Sequence, residues 1–153
     1  MAHAPMPPLE KRAWWSLVIG VAMFVTITAI LVVQGAAVYW ENDNLRTLVL
    51  TIFLGGLIGY VGVLASSLPK EREGRVDERD RLILSRAPKV QSALVLIALA
   101  AWLVALTRMF HDEGAVPVVY LYLMFGCIII ITIIGQALGI LFGYWMVARY
   151  GEG

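Results

Sequence analysis

The sequence is poor in charge and in cysteine. Of its 153 residues, 15% are charged and 60% are hydrophobic, whereas a soluble domain carries roughly 25% charged residues. The single cysteine, Cys127, excludes a disulfide within the chain and a CxxC metal or redox site. The net charge is +1 and the bases are interleaved with acids, which gives no indication of a nucleic-acid partner.

Charge is absent altogether from four long apolar blocks. Residues 13–40, 47–68, 90–107 and 115–148 contain no Asp, Glu, Lys, Arg or His. Roughly 20 apolar residues cross the hydrocarbon layer as a helix, and an open sheet edge would leave backbone groups unsatisfied in lipid. The sequence therefore predicts an all-α polytopic membrane protein with four transmembrane helices. Residues 13–149 form one domain with a loop at 69–89, between an N-terminal tail at 1–12 and a short C-terminus at 150–153.

The basic residues predict the orientation of these helices. Ten of the twelve Lys and Arg residues lie before the first block, between the second and third, or after the fourth. Such a bias places those segments and both termini in the cytoplasm. The two remaining connections are short, which predicts two antiparallel helical hairpins. We expect Asn44 to cap the second helix and Pro117 to lie in the first turn of the fourth.

Glycine recurs at helical spacing in two of the blocks. The recurring positions are Gly55, Gly59 and Gly62 in the second block and Gly135, Gly139 and Gly143 in the fourth. Small residues at this spacing let two helix backbones approach closely. The contact is either with another helix of the same bundle or with another chain or a flat cofactor, and spacing alone does not choose between them.

The polar residues inside the blocks limit the possible functions. Ion pumps and ion-coupled carriers place ionisable groups within the bilayer, and this chain has none. An oligomeric pore lined by Thr132 and Gln136 stays an alternative interpretation. Gln136 is expected to bond across a helix contact or, alternatively, to meet a ligand.

No catalytic pattern of the Ser-His-Asp, HExxH, P-loop or GxSxG type occurs. We predict no catalytic residue, no metal site and no cofactor of the chain's own. Bound lipid, pigment or quinone is expected only through a larger complex.

Most of the charge lies at residues 70–89, which contain five consecutive charged positions: Asp77, Glu78, Arg79, Asp80 and Arg81. In one interpretation these carboxylates accept bonds from Lys11, Arg12 or Arg149, or from a partner, and so lock the bundle or dock another protein. In the other they form a solvated, self-paired helix beside the membrane.

The same stretch is expected to be a short helix that begins at Asp77. Ile83 and Leu84 would then lie in the membrane interface with the charges in water. Pro88 would end or kink this helix before the third span.

The segment VDERDRLI, residues 76–83, resembles a stretch found in a group of small bacterial and archaeal membrane proteins of unknown function. Those proteins have four helices, and the rest of this chain is similar to them in hydropathy and loop lengths. The resemblance implies the fold, the topology and a prokaryotic cytoplasmic membrane, but no activity. It also implies a possible pairing with small regulators.

These observations favour a non-enzymatic membrane protein that packs against other membrane helices as an accessory or structural subunit. Its expected partners are membrane lipid and other membrane subunits or further copies of itself. Two alternatives stay open: a small oligomeric channel or carrier for an uncharged solute, and a membrane anchor that docks a cytoplasmic regulator through the charged loop.

Overall fold

A computed structural model describes residues 6–66 and 78–150 of the chain. Over these residues the secondary structure is entirely helical, with α1 at Pro8–Gln34, α2 at Ala36–Glu41, α3 at Asp43–Ser66, α4 at Glu78–Met109 and α5 at Val118–Tyr150. Four of these helices, α1, α3, α4 and α5, are long and apolar enough to cross a membrane. The predicted all-α class and the four candidate spans are therefore confirmed.

The first apolar block is interrupted at Gly35, although the sequence analysis treated residues 13–40 as one span. Gly35 has φ +83 and ψ 149, a conformation that only glycine adopts without strain. Its N–H still donates to the carbonyl oxygen of Leu31 at 2.9 Å, which ends α1. At the other end α1 begins at Pro8, because proline suits the first turn of a helix. Part of the expected tail is therefore helical.

The caps of α3 and α5 differ from the prediction by one or two residues. The side chain of Asn42, and not Asn44, accepts hydrogen bonds from the backbone N–H groups of Asn44 and Leu45 at 3.0 and 3.2 Å. Since α3 begins at Asp43, Asn42 stands at the position where a side-chain acceptor satisfies the free N–H groups of the first turn. Pro117 immediately precedes α5 and does not lie within its first turn.

Helix α4 runs without interruption through Pro88, so the charged segment from Glu78 onward and the third span form one helix. Proline removes one N–H donor from the ladder, but Ala87 beside it is only 2% exposed. Ala87 packs against Gly139 of α5, which supports the helix next to the proline, and Pro88 does not end the helix.

The four long helices pack in the order α3–α1–α5–α4. Each packed pair is antiparallel, because its contacts run in opposite directions along the two helices. Gly56 of α3 lies against Met23 and Gly59 against Ile19, while Gly135 of α5 lies against Gln91 and Gly143 against Ile83. Between α1 and α5, Ala13 clusters with Ile140, and Gly20 lies against Ile134. Helices α3 and α4 form no packed interface with each other. The bundle is thus an open arch, with α1 and α5 as its centre and α3 and α4 as its edges.

Packing is unequal along the length of this arch. The end that holds the start of α4, hereafter the DERD end, contains a buried cluster of Ala13, Ile83, Ala87, Ile140 and Tyr144. The opposite end, hereafter the turn end, holds α2 and the connection between α4 and α5. There the arch is splayed around a cavity of about 850 Å³.

Candidate functional site

The glycines of α5 form a seam with α4. A Cβ atom at Gly139 would lie 2.7 Å from the carbonyl oxygen and 2.9 Å from the Cα atom of Ala87. At Gly135 it would lie 3.0 Å from the Cα atom of Gln91, and at Gly143 2.7 Å from Cγ2 of Ile83. The two backbones approach to a distance that leaves no room for a side chain, so this glycine motif is used inside the chain.

The seam ends in a hydrogen bond between Tyr144 and the carboxylate of Asp80, which accepts from the tyrosine hydroxyl. Ile83, one turn further along α4, is 1% exposed and packs on Gly143. The expectation that Ile83 lies in the membrane interface is therefore wrong: α4 turns this side chain into the bundle. Tyr144 was missed as the partner of Asp80; it follows Ile140 by one helical turn and belongs to the same buried cluster.

The other residues of the charged run at 77–81 make no comparable contact in the part of the chain that the structure describes. Asp77 lies outside the described residues, and for Glu78 and Arg79 the structure describes only the helical backbone. Arg81 is exposed. Of the five positions, Asp80 is the one that the structure brings to a defined contact within the bundle.

The predicted glycine face of α3 has almost no contact with the residues that the structure describes. A Cβ atom at Gly55 or at Gly62 would have no neighbour within 4 Å, and one at Gly59 would meet only Cδ1 of Ile19 at 3.8 Å. Gly56 makes the close contact instead, where a Cβ atom would collide with the side chain of Met23. The adjacent pair of glycines at 55 and 56 was the sequence signal for this second face.

Gln136 lies in a small polar cluster nearer the DERD end. The hydroxyl of Tyr60 on α3 donates to Oε1 of Gln136 on α5 at 2.8 Å. Arg12 and Ser16 of α1 line the same site, which encloses about 10 Å³, room for about one water molecule. Thr132, the other candidate pore residue, donates to the carbonyl oxygen of its own helix at Ile128. The cluster joins three helices around a space too small for a solute path.

The cavity at the turn end is different in size and chemistry. Helices α1, α3, α4 and α5 all contribute to it, with one residue of α2, and none of the described side chains that line it is charged. Its volume of about 850 Å³ lies within the range of small-molecule sites. Seven of its lining residues are aromatic: Phe24, Tyr39, Phe53, Trp102, Tyr120, Tyr122 and Phe125. No pattern in the sequence predicts this site, because it arises where α3 and α4 do not pack against each other.

Within the described ranges 6–66 and 78–150, no group of three or more His, Cys, Asp or Glu residues is placed to hold a metal ion. No family model matches the chain, and no curated protein or solved structure shows significant similarity to it.

Proposed function

We propose that this protein is a non-enzymatic membrane subunit that packs against another membrane helix through α3. The observation that carries the proposal is the open arch, in which α3 contacts α1 along one side. Among the described residues, none would lie within 4 Å of a Cβ atom at Gly55 or Gly62. The partner is a transmembrane helix of another subunit or of a second copy.

Gly55 and Gly62 make α3 less stable as a helix, and no contact with the described residues offsets this free-energy cost. Glycine in a helix interior is less favourable than alanine by about 0.8–1 kcal/mol. At Gly139 the cost is offset by close packing of α5 on α4. At Gly55 and Gly62 an intermolecular helix contact would supply the same compensation, since lipid chains pack as well on alanine as on glycine.

The two glycine motifs therefore have separate roles in this proposal. The seam at Gly135, Gly139 and Gly143 is occupied by α4 and closes the bundle. The face at Gly55, Gly59 and Gly62 is left for a partner. Val49 is the one residue of α3 that is fully buried, which agrees with a helix whose packing is incomplete within the chain.

We also infer that the DERD end faces the cytoplasm, because ten of the twelve basic residues belong to the segments at this end. The resemblance of residues 76–83 supports a prokaryotic cytoplasmic membrane. The alternative of a solute channel receives less support, since the polar cluster near Gln136 encloses only about 10 Å³. Docking of a regulator by the charged loop is also less favoured, because the carboxylate of Asp80 is engaged by Tyr144.

Cysteine cross-linking in native membranes tests the α3 contact. Gly55→Cys and Gly62→Cys are each placed in a Cys127→Ser background and oxidised or treated with a short bifunctional reagent. We expect a discrete adduct of one size at both positions, because both glycines lie on one side of α3. A band of twice the monomer mass would identify a second copy, and another mass would identify a different subunit.

The matched control is Ile97→Cys on α4, which is 65% exposed and lies away from the glycine face. Equal cross-linking at Ile97 and Gly55 would show random collision, and absence of any adduct at Gly55 and Gly62 would show that α3 faces lipid. Either result contradicts the proposed contact.

A further inference from the structure

The cavity at the turn end has the depth of about one membrane leaflet. Its lining residues on α5 extend from Tyr120 to Ile130, which corresponds to a rise of about 15 Å at 1.5 Å per residue. The hydrocarbon core is about 30 Å thick. The cavity therefore reaches from the turn end to about the middle of the bilayer.

The cavity opens sideways toward the lipid. Helices α3 and α4 form its two walls but do not pack against each other. Five of its large hydrophobic lining residues are more than half exposed: Val32, Leu50, Met109, Tyr122 and Phe125. A ligand can thus enter from the membrane without crossing the polar cluster at Gln136.

The lining selects for an uncharged ligand. Among the described residues, no Lys, Arg, Asp, Glu or His contributes to it, so an anionic headgroup would meet no counter-charge from them inside the site. Arg46, at the turn end, pairs with Asp43 and lies over the ring of Trp40. Aromatic walls favour a planar, conjugated group, because aromatic rings stack in offset or edge-to-face arrangements.

Two hydroxyl groups at the turn end supply hydrogen-bond donors. Tyr39 and Tyr120 line the cavity, and their hydroxyls make no hydrogen bond to any of the residues that the structure describes. Trp102 adds an indole N–H to the wall. These groups can donate to carbonyl oxygens of a ring placed among the aromatic side chains.

We propose that this cavity binds a lipophile of the isoprenoid-quinone class: an uncharged planar ring with carbonyl acceptors and a long unsaturated tail. The ring lies at the turn end, where Tyr39 and Tyr120 donate to its carbonyl oxygens, and the tail leaves between α3 and α4. Only binding is proposed, with no redox step.

This site is independent of the partner contact proposed for α3. Gly55 follows Val49 by six residues, which places it about 240° around the helix axis at about 100° per residue. Val49 lines the cavity, so the glycine face points elsewhere. The inference goes beyond the proposed function, and a chain that forms no cross-link at Gly55 would still contain the cavity.

Binding is tested with full-length protein freed of lipophiles and placed in phosphatidylcholine nanodiscs. The probe is decylubiquinone, and the readout is quenching of tryptophan emission, which Trp102 in the cavity wall should report. We expect saturable quenching at about one molecule per chain. In parallel, protein purified from native membranes in mild detergent is extracted with organic solvent, and the extract should contain about one quinone per chain.

Two cavity-filling variants separate binding from simple partition into the nanodisc. At Gly126 a Cβ atom would meet only Cε2 of Phe53 at 4.0 Å, so Gly126→Leu fills the cavity without a backbone clash. We expect at least tenfold weaker binding for Gly126→Leu and for a second filler, Ala105→Phe. Tyr120→Phe, which removes one donor, should weaken binding severalfold. The control is Ile97→Phe, which enlarges an exposed residue outside the cavity and should leave binding unchanged.

Circular dichroism and size-exclusion profiles show whether each variant is folded. The two cavity-filling substitutions lie on different helices. Quenching that does not saturate, or that is equal in wild type and both folded fillers, would overturn the proposal. So would an extract that contains only phospholipid, or a hydrocarbon pigment without oxygen, in place of a quinone. Occupation of the cavity by a helix of a partner would appear as loss of quenching when that partner is added, and would also overturn it.

Discussion

Replacement of Gly139 by alanine tests whether the seam between α4 and α5 holds the bundle together. The added Cβ atom would lie 2.7 Å from the carbonyl oxygen and 2.9 Å from the Cα atom of Ala87. Both are backbone atoms, which no rotamer change can move. The two helices must therefore separate locally, by roughly half an ångström or more, to reach ordinary contact distances of about 3.5–4.0 Å.

The expected magnitude combines two opposing contributions. Overpacking of a tight contact costs about 1–3 kcal/mol, while alanine in place of glycine favours the helix by up to about 1 kcal/mol. We expect Gly139→Ala to lower the free energy of unfolding by about 1–2 kcal/mol. Gly143→Ala should cost no more than Gly139→Ala, because its Cβ atom would meet side-chain and not backbone atoms of Ile83, although this buried β-branched side chain has little freedom to shift.

The matched control is Gly55→Ala on α3. A Cβ atom there has no neighbour within 4 Å, so only the helix preference changes and stability should stay equal or rise. Reversible unfolding in mixed detergent micelles, followed by circular dichroism, measures all three variants. The protein is studied as a monomer, so that a partner of α3 does not contribute.

Equal changes in unfolding free energy for Gly139→Ala and Gly55→Ala would refute the reasoning. Such a result would mean that the close approach at Ala87 does not hold the two helices. An inverted order, with Gly143→Ala the most destabilising of the three, would show that side-chain and not backbone contact dominates the seam.

Two further predictions concern the ends of the helices. Asn42→Ala should destabilise the protein by about 0.5–2 kcal/mol in thermal or denaturant unfolding, because it removes the acceptor for two backbone N–H groups. Asn44→Ala should have little effect on stability. A larger loss of stability for Asn44→Ala than for Asn42→Ala would place the cap at Asn44. A double-mutant cycle of Asp80→Ala and Tyr144→Phe should give a coupling energy of about 1–2 kcal/mol in the same unfolding assay, as for a hydrogen bond to a charged acceptor. A coupling energy near zero would show that Asp80 does not close the bundle.

The number of candidate membrane helices could be predicted because charge is costly in lipid and its absence is visible in the sequence. Their lengths could not, since the block at 90–107 continues a helix that already begins at Glu78. The two short connections likewise predicted antiparallel neighbours. The interruption at Gly35 was not predictable by the same means: glycine is common in membrane helices, and nothing local distinguishes Gly35 from a glycine that stays helical.

The rotation of α3 on α1 was also beyond a single sequence. Gly55 and Gly56 are adjacent, and either could face the neighbour, since spacing defines a face but not what it meets. The choice of Gly56 depends on where Met23 of α1 lies. The cavity escaped prediction for a related reason, because a space between α3 and α4 leaves no pattern in either helix.

The two contacts that flank the arch differ in stiffness. The seam at Gly139 rests on backbone atoms of Ala87, whereas the contact at Gly56 rests on the long and flexible side chain of Met23. The first cannot be compressed or shifted without displacing a helix, while the second can adapt by a change of rotamer. Strain applied across the cavity would therefore displace α3 before it separated α4 from α5.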